Sequence, residues 1–374
     1  MPPPSRRRAV LGIIDRAHFM RKSTAMVGDQ LSEVFDLVEI RGLVSGGFAA
    51  RGPWLARAPI QDPLKLIAMV YGRARLTADG VAGPIELEPG DVAILNGRTW
   101  LEQQGGDGDG PRQEIRPQEN FARLSGADPN SDDVVIGIAV DLNPIGRALL
   151  QEALPAMGHV QASASPAAAA DLRGGLDRLF NEVTGHRIGA GFAIRQHGQL
   201  LLLDVLRTYV HQAELPPGWL RLLTDERLRP AVHLMHTEPG KPWRLQELAH
   251  AAAMSRTSFA ERFRTVAGQP PLTYLNQWRM LLAQRALRDG DVRIGSLAAE
   301  LGYASESAFS TAFKREVGAS PLHYRHQARA QPPTQAKPIQ VQHQPTAPCP
   351  PQRLHEPPSR LEPVLPPAPS SAKM

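Results

Sequence analysis

Two serines 50 residues apart, Ser255 and Ser305, each precede a short polar stretch that leads into a pair of phenylalanines. The first reads Ser255-Arg256-Thr257-Ser258-Phe259 with Phe263 beyond it, the second Ser305-Glu306-Ser307-Ala308-Phe309 with Phe313. A serine so placed can accept a hydrogen bond from an unpaired amide of a helix's first turn and fix where that helix begins. The side chains just past each serine then stand at a helix N-terminus. The chemistry they offer is hydrogen bonding to a partner.

The segments around these serines are two copies of one pattern. Leu245, Leu248, Ala249 and Ala252 recur as Ile294, Leu297, Ala298 and Leu301, offset by 49 residues. Each set falls at i, i+3, i+4, i+7, one face of a helix. Phe259, Phe263, Gly268, Pro271 and Tyr274 recur as Phe309, Phe313, Gly318, Pro321 and Tyr324, offset by 50. One extra residue therefore sits in the second turn, around Ala304, while the helices on both sides keep their register. Each copy predicts a helix, a short turn and a capped second helix, with small Ala249 and Ala298 letting the two helices cross closely. This is a helix-turn-helix, whose second helix offers its first residues to the DNA major groove. Between the copies, Pro271 to Arg288 predicts a helix with an apolar stripe of Leu275, Trp278 and Leu282 and a stop at Asp289-Gly290. Such a rod spans ~26 Å at 1.5 Å per residue, suited to holding two helices near the ~34 Å separation of successive major-groove windows. Phe259, Phe263, Phe309, Phe313, Trp278 and Tyr303 read as core, and Arg279, Arg285 and Arg288 as solvated.

The runs Ala253 to Phe263, Gly268-Gln269-Pro270-Pro271, Tyr274-Leu275, Trp278-Arg279-Met280, Gly302-Tyr303, Ser305 to Ser310 and Phe313-Lys314-Arg315 resemble the DNA-binding half of the AraC/XylS transcription regulators. The likeness covers about residues 225 to 327. Gly218-Trp219-Leu220, Asp225, His236 with Glu238-Pro239, and the Pro89-Gly90-Asp91 turn resemble the branch whose N-terminal half is a cupin-like sensor, over about 29 to 215. The resemblance implies base-facing positions at Arg256, Thr257, Ala260 and Glu261 in the first motif and at Glu306, Ser307, Ser310 and Thr311 in the second. Ser255, Ser305, Lys314 and Arg315 complete the implied DNA-binding set, the last two gripping phosphates. The family often has arginine where Glu261 and Thr311 stand, and neither replacement can grip a guanine edge in bidentate fashion. Arg256 remains the candidate for that contact. For Glu261 two readings stand: it accepts from cytosine N4, or it forms a helix-surface salt bridge with Arg264 or Arg262. The implied partners are double-stranded promoter DNA and RNA polymerase, with a small-molecule effector and a homodimer as further options.

Upstream, Leu64 to Tyr71, Ile85 to Leu95 (interrupted at Pro89-Gly90-Asp91) and Val134 to Val140 read as strands, suggesting a small β-barrel or sandwich over roughly 29 to 142. Residues 143 to 213 read as helical, with one stripe of Leu172, Leu176, Leu179, Phe180 and Val183 and another of Leu200, Leu203, Leu206 and Val210. Such stripes are core, or in part a dimer seam. Breaks are expected at Gly105 to Gly110, Ser163 to Ala170 and Leu215 to Gly218. A metal-dependent cupin enzyme needs clustered histidines, yet no His-x-His occurs and residues 27–157 contain no histidine. Neither a catalytic residue nor a metal or cofactor is expected. Trp54, Arg73, Arg75, Arg98 and Trp100 are candidates to line a ligand cavity, although an arginine on an alternating strand more often faces solvent. The one cysteine, Cys349, excludes an internal disulfide, a cysteine-based zinc finger and a redox pair. DNA-repair proteins that take alkyl groups onto cysteine share this type of DNA-binding segment, but Cys349 stands between prolines in the tail, away from any activating base.

Residues 1 to 28 read as a disordered or over-extended start, and residues 331 to 374, which hold 13 of the 35 prolines, as a disordered tail. Charge is uneven. Residues 23 to 224 carry 17 Lys or Arg against 24 Asp or Glu, whereas residues 225 to 327 carry 14 against 10. A basic unit on an acidic one is expected if only the former faces a polyanion. No apolar stretch approaches the ~18 residues needed to cross a bilayer, and Arg6-Arg7-Arg8 before Ala9 to Ile14 makes a poor signal peptide. The expected molecule is an α+β, cytoplasmic, non-enzymatic regulator, most simply an activator. It comprises a cupin-like β-barrel with a helical dimerisation segment and a C-terminal all-α double helix-turn-helix. The alternative is a cupin-type binding protein or isomerase with a DNA-tethering segment.

Overall fold

The computed structural model describes residues 30–37, 40–108, 110–117, 124, 126–185 and 187–330. The expected arm 1–28 and tail 331–374, with Cys349, lie outside the described residues.

After helix α1 (Gln30–Leu37) come β1 (Ile40–Ala50), β2 (Trp54–Pro59), β3 (Leu64–Tyr71), β4 (Ala74–Ala78), β5 (Ile85–Leu87), β6 (Val92–Asn96), β7 (Trp100–Gly105), β8 (Gln113–Ile115) and β9 (Asp133–Leu142). Helix α2 (Pro144–Ala153), strand β10 (Met157–Val160) and helices α3 (Pro166–Thr184) and α4 (Ala190–Gln212) complete the N-terminal half. The strands form two five-stranded sheets, ordered β1-β9-β3-β6-β10 and β5-β4-β7-β2-β8, antiparallel except where β2 meets β8.

Alternation along β3 explains the layering, because successive side chains point to opposite faces. Ile67 and Met69 face the second sheet, in a cluster with Phe48, Trp54, Leu76 and Leu101. Leu64, Leu66, Ala68 and Val70 face the other way, onto Leu172 and Leu176 of α3 and Leu201 and Leu206 of α4. The first sheet is thus covered on both sides, which is why its strands read as near-continuous apolar runs. Trp54 is fully buried between the sheets. Its indole N–H donates to the Asp133 carboxylate at 2.6 Å.

At the Pro89-Gly90-Asp91 turn, Gly90 has φ 94°. The buried Asp91 carboxylate accepts the amides of Glu88 and Ala162 at 3.1 and 2.9 Å and lies 2.9 Å from His159 Nε2. Burial works to raise its pKa, but these bonds outweigh it and hold the carboxyl below its ordinary value.

Three local expectations change. Residues 143–213 are not helical throughout: β10 intervenes and pairs with β6 at the sheet edge. Four residues are too few to show a period, and the strand exists because an edge was free to pair. Ser163 to Ala170 is a helix start rather than a break. Ser165 accepts the Ala168 amide, Pro166 takes the first helical position, and the alanines propagate the helix. On α4 the buried stripe is Leu201, Leu202, Val205, Leu206 and Tyr209, and Leu200 is exposed. A run of four leucines offers every phase, and α4's contacts with both α3 and β1 select this one.

The suggested cavity residues stand apart. Arg73 pairs with Glu88 and Arg75 with Glu86, all exposed. Arg98 donates to the carbonyls of Asp79 and Asn96, and Trp100 is exposed. Among the described residues no helix is long and apolar enough to cross a membrane.

Candidate nucleic-acid interface

The C-terminal half is helical: α5 (Trp219–Thr224), α6 (Arg229–Thr237), α7 (Leu245–Ala251), α8 (Arg256–Ala267), α9 (Pro271–Asp289), α10 (Ile294–Glu300), α11 (Glu306–Val317) and α12 (Pro321–Ala330). Helices α7 and α8 form the first motif, α10 and α11 the second. Both caps form as expected. Ser255 Oγ accepts the Ser258 amide at 3.2 Å, and Ser305 Oγ accepts that of Ala308 at 3.1 Å. Each second helix ends on a left-handed glycine, Gly268 and Gly318, whose amides return to the carbonyls of Arg264 and Lys314, both at 2.9 Å.

The turns repeat as well. Ala253 (φ 52°) and Gly302 (φ 79°) share the left-handed conformation. The next amide in each case, of Met254 or Tyr303, donates back to Ala249 or Ala298 at 2.9 Å. The 49-residue offset therefore persists through Tyr303 and becomes 50 at the capping serines, so the extra residue is Ala304 itself. Gly302 has a second reason to be glycine: a Cβ there would fall 2.2 Å from the carbonyl oxygen of Gly240.

One continuous helix joins the motifs. At 19 residues α9 is about 28 Å long. Its Leu275 lies in the core of the first motif with Phe259 and Phe263. Its Met280, Ala283 and Leu287 lie in that of the second with Phe309 and Phe313. Trp278 turns instead toward the N-terminal half, sharing a cluster with Leu150 of α2 and Leu220 of α5, against which Leu281 and Leu282 pack, Leu282 touching the second motif's core as well. Trp219 of α5 strengthens this seam, its indole donating to the Leu149 carbonyl at 2.8 Å. Trp278 also stacks on His236, centroids 3.7 Å apart, and His236 Nε2 hydrogen bonds with the Tyr274 hydroxyl at 2.8 Å. Tyr274 in turn meets Phe263 of α8 edge-on. The phenylalanines and Trp278 read as core are buried, and Tyr303 is half-buried.

The expected contact residues lie where helix geometry puts them. Ser255, Arg256, Thr257 and Glu261 are exposed at the start of α8, with Ala260 half-buried between them. Ser305, Glu306, Ser307, Thr311, Lys314 and Arg315 are exposed on α11, with Ser310 half-buried. Among the described residues, the Arg256 guanidinium makes no hydrogen bond or ion pair, nor does the Glu261 carboxylate. Of the cations beside Glu261, Arg262 is engaged elsewhere, its guanidinium 2.7 and 3.2 Å from the two oxygens of Asp225. Arg315 is 3.1 Å from Glu316.

Two of the arginines read as solvated are not: the Arg288 side chain is only 14% exposed, its guanidinium 2.7 Å from the Asp289 carboxylate. Arg279 is buried, not solvated, and donates to the carbonyls of Pro239 and Lys241 at 2.6 and 3.0 Å. Its guanidinium lies 5.9 Å over the Tyr303 ring, and burial lowers its pKa. The arginine thus ties the α6–α7 loop to the strut and to the second motif's turn. The signal was present: Arg279 occupies the i+4 position from Leu275, inside the apolar stripe.

Comparison with known proteins agrees with both halves. A family model described as a cupin matches residues 29–211, and one described as a helix-turn-helix domain matches residues 248–327. An AraC-like transcription regulator of Streptomyces lividans is 34% identical over 303 residues, covering 79% of this chain and 98% of that protein. The transcriptional regulator AlkR of Acinetobacter baylyi is 28% identical over 305 residues, covering 80% of this chain and all of its own. Among solved structures, the DNA-binding domain of AdpA in complex with a target DNA is 33% identical, covering 29% of this chain and 96% of that one, with a TM-score of 0.27. The chain belongs to the AraC family of helix-turn-helix transcription regulators. It is a DNA-binding regulator with a cupin-type N-terminal half.

Proposed function

We propose that this regulator binds promoter DNA by laying the N-terminal ends of α8 and α11 into adjacent major grooves of one duplex face. What carries the reading is the sharing of α9 between both motif cores, which makes the two helices one rigid reading unit. Arg256 supplies a bidentate contact to guanine. Thr257, Ala260 and Glu261 complete the first reading surface, and Glu306, Ser307, Ser310 and Thr311 the second. Lys314, Arg315 and the amides at the capped ends after Ser255 and Ser305 hold phosphates. The chain is a non-enzymatic activator of the cytoplasm that recruits RNA polymerase. Its N-terminal half serves as effector-responsive and dimerising module. Support for that role comes from the seam at which Trp219 and Trp278 join the N-terminal core to the strut. A footprint on a bound promoter fragment tests the reading. Protection of two neighbouring major-groove windows on one face is expected, and a single protected window, or none, overturns it.

A further inference from the structure

We infer that Glu261 is a specificity-determining residue that selects a cytosine in the first half-site. The inference rests on the DNA-binding reading above and assigns one base within it. Glu261 is exposed on the same stripe as Thr257, one turn on from the helix start. A carboxylate carried into a groove flanked by phosphates is repelled by them and loses hydration. It is tolerated there if neutralised by a neighbouring cation or if it accepts a hydrogen bond from a base.

The first route is not taken in the structure: among the described residues no cation lies within 4.0 Å of the Glu261 carboxylate. Arg262 is held by both oxygens of Asp225. Asp225 is itself fixed by accepting the amides of Arg227 and Leu228 at 3.1 and 3.0 Å. Arg264, the other neighbouring cation, makes no ion pair with Glu261 within 4.0 Å.

The second route depends on which base edges donate. In the major groove, cytosine presents its N4 amino group, whereas guanine presents two acceptors and thymine an acceptor and a methyl. Adenine offers N6 but places the N7 lone pair beside it, which repels a second carboxylate oxygen. Cytosine is therefore the base that suits a lone carboxylate. The equivalent position of the second motif, Thr311, carries no charge, so this selectivity belongs to the first half-site alone.

Selection of bound duplexes from a randomised pool by the full chain tests this, with the wild type compared against Glu261→Gln and Glu261→Ala. The wild type is expected to enrich a cytosine at one fixed position. Glu261→Gln should move that position toward adenine, which a carboxamide can grip through N6 and N7. Glu261→Ala should flatten it, losing about 5- to 100-fold in discrimination there and little elsewhere. If both variants enrich the wild-type site unchanged at every position, the inference is overturned while the DNA-binding reading stands. If the wild type enriches no sequence at all, the DNA-binding reading fails first. Thermal melting of both variants close to that of the wild type confirms that the comparison reports recognition and not folding.

Discussion

A guanidinium at the first position of a recognition helix can grip two acceptors on one guanine edge, and Arg256 stands there with no competing partner among the described residues. Arg256→Ala should weaken binding to the preferred sequence by ~1 to 3 kcal/mol and binding to random DNA much less. Equal losses on both, measured by titration against the two duplexes, would reassign the residue to phosphate contact. Backbone geometry makes a second residue-level prediction. Gly302→Ala meets both a left-handed φ and a carbonyl 2.2 Å from the added Cβ. It should lower unfolding stability by more than about 1 kcal/mol, read from the denaturant midpoint. Ala253 holds the equivalent conformation at φ 52° with a methyl already present, so Ala253→Gly should change stability by far less.

At the level of elements, the strut decides most. Trp278 is nearly buried, stacks on His236 and belongs to the core of the N-terminal half. Trp278→Ala should therefore cost ~3 to 5 kcal/mol, as aromatic truncation in a core does. Calorimetry should show both halves affected, and a loss confined to the DNA-binding half would disprove the shared seam. The duplicated motifs were legible because their pattern is local: a cap, an apolar face and a glycine stop each lie within a dozen residues. The N-terminal half was less so. Strand β3 could be read from its continuous apolar run, but β10 could not, because its four residues owe their conformation to the free edge of β6. The burial of Arg279 was legible from its place four residues after Leu275 inside the apolar stripe, but its partners, the carbonyls of Pro239 and Lys241, lie 40 and 38 residues away and could not be read locally. The contact residues themselves were legible as positions on a helix. Whether Glu261 was already paired was not, since that depended on Asp225 capturing Arg262 across 37 residues.

For the whole molecule, the modest basic excess of residues 225 to 327, 14 cations against 10 anions, limits how many condensed counterions binding can release. Affinity for a target duplex should fall as salt rises, with a shallower slope than for strongly basic binders. An affinity unchanged between low and moderate salt would contradict phosphate contact by Lys314 and Arg315.

The shared strut also constrains how the protein can be dissected. Trp278 and Leu281 pack in the cluster that α9 shares with the N-terminal half, so excising residues 225–327 would strip the cover from one flank of α9. Such a fragment would retain its two reading ends yet carry an oily ridge along its back, and sedimentation should find it self-associating more strongly than the same fragment with that ridge made polar. A soluble version would call for polar replacements along that ridge, chosen to spare the faces that Leu275 and Ala283 present to the two motif cores.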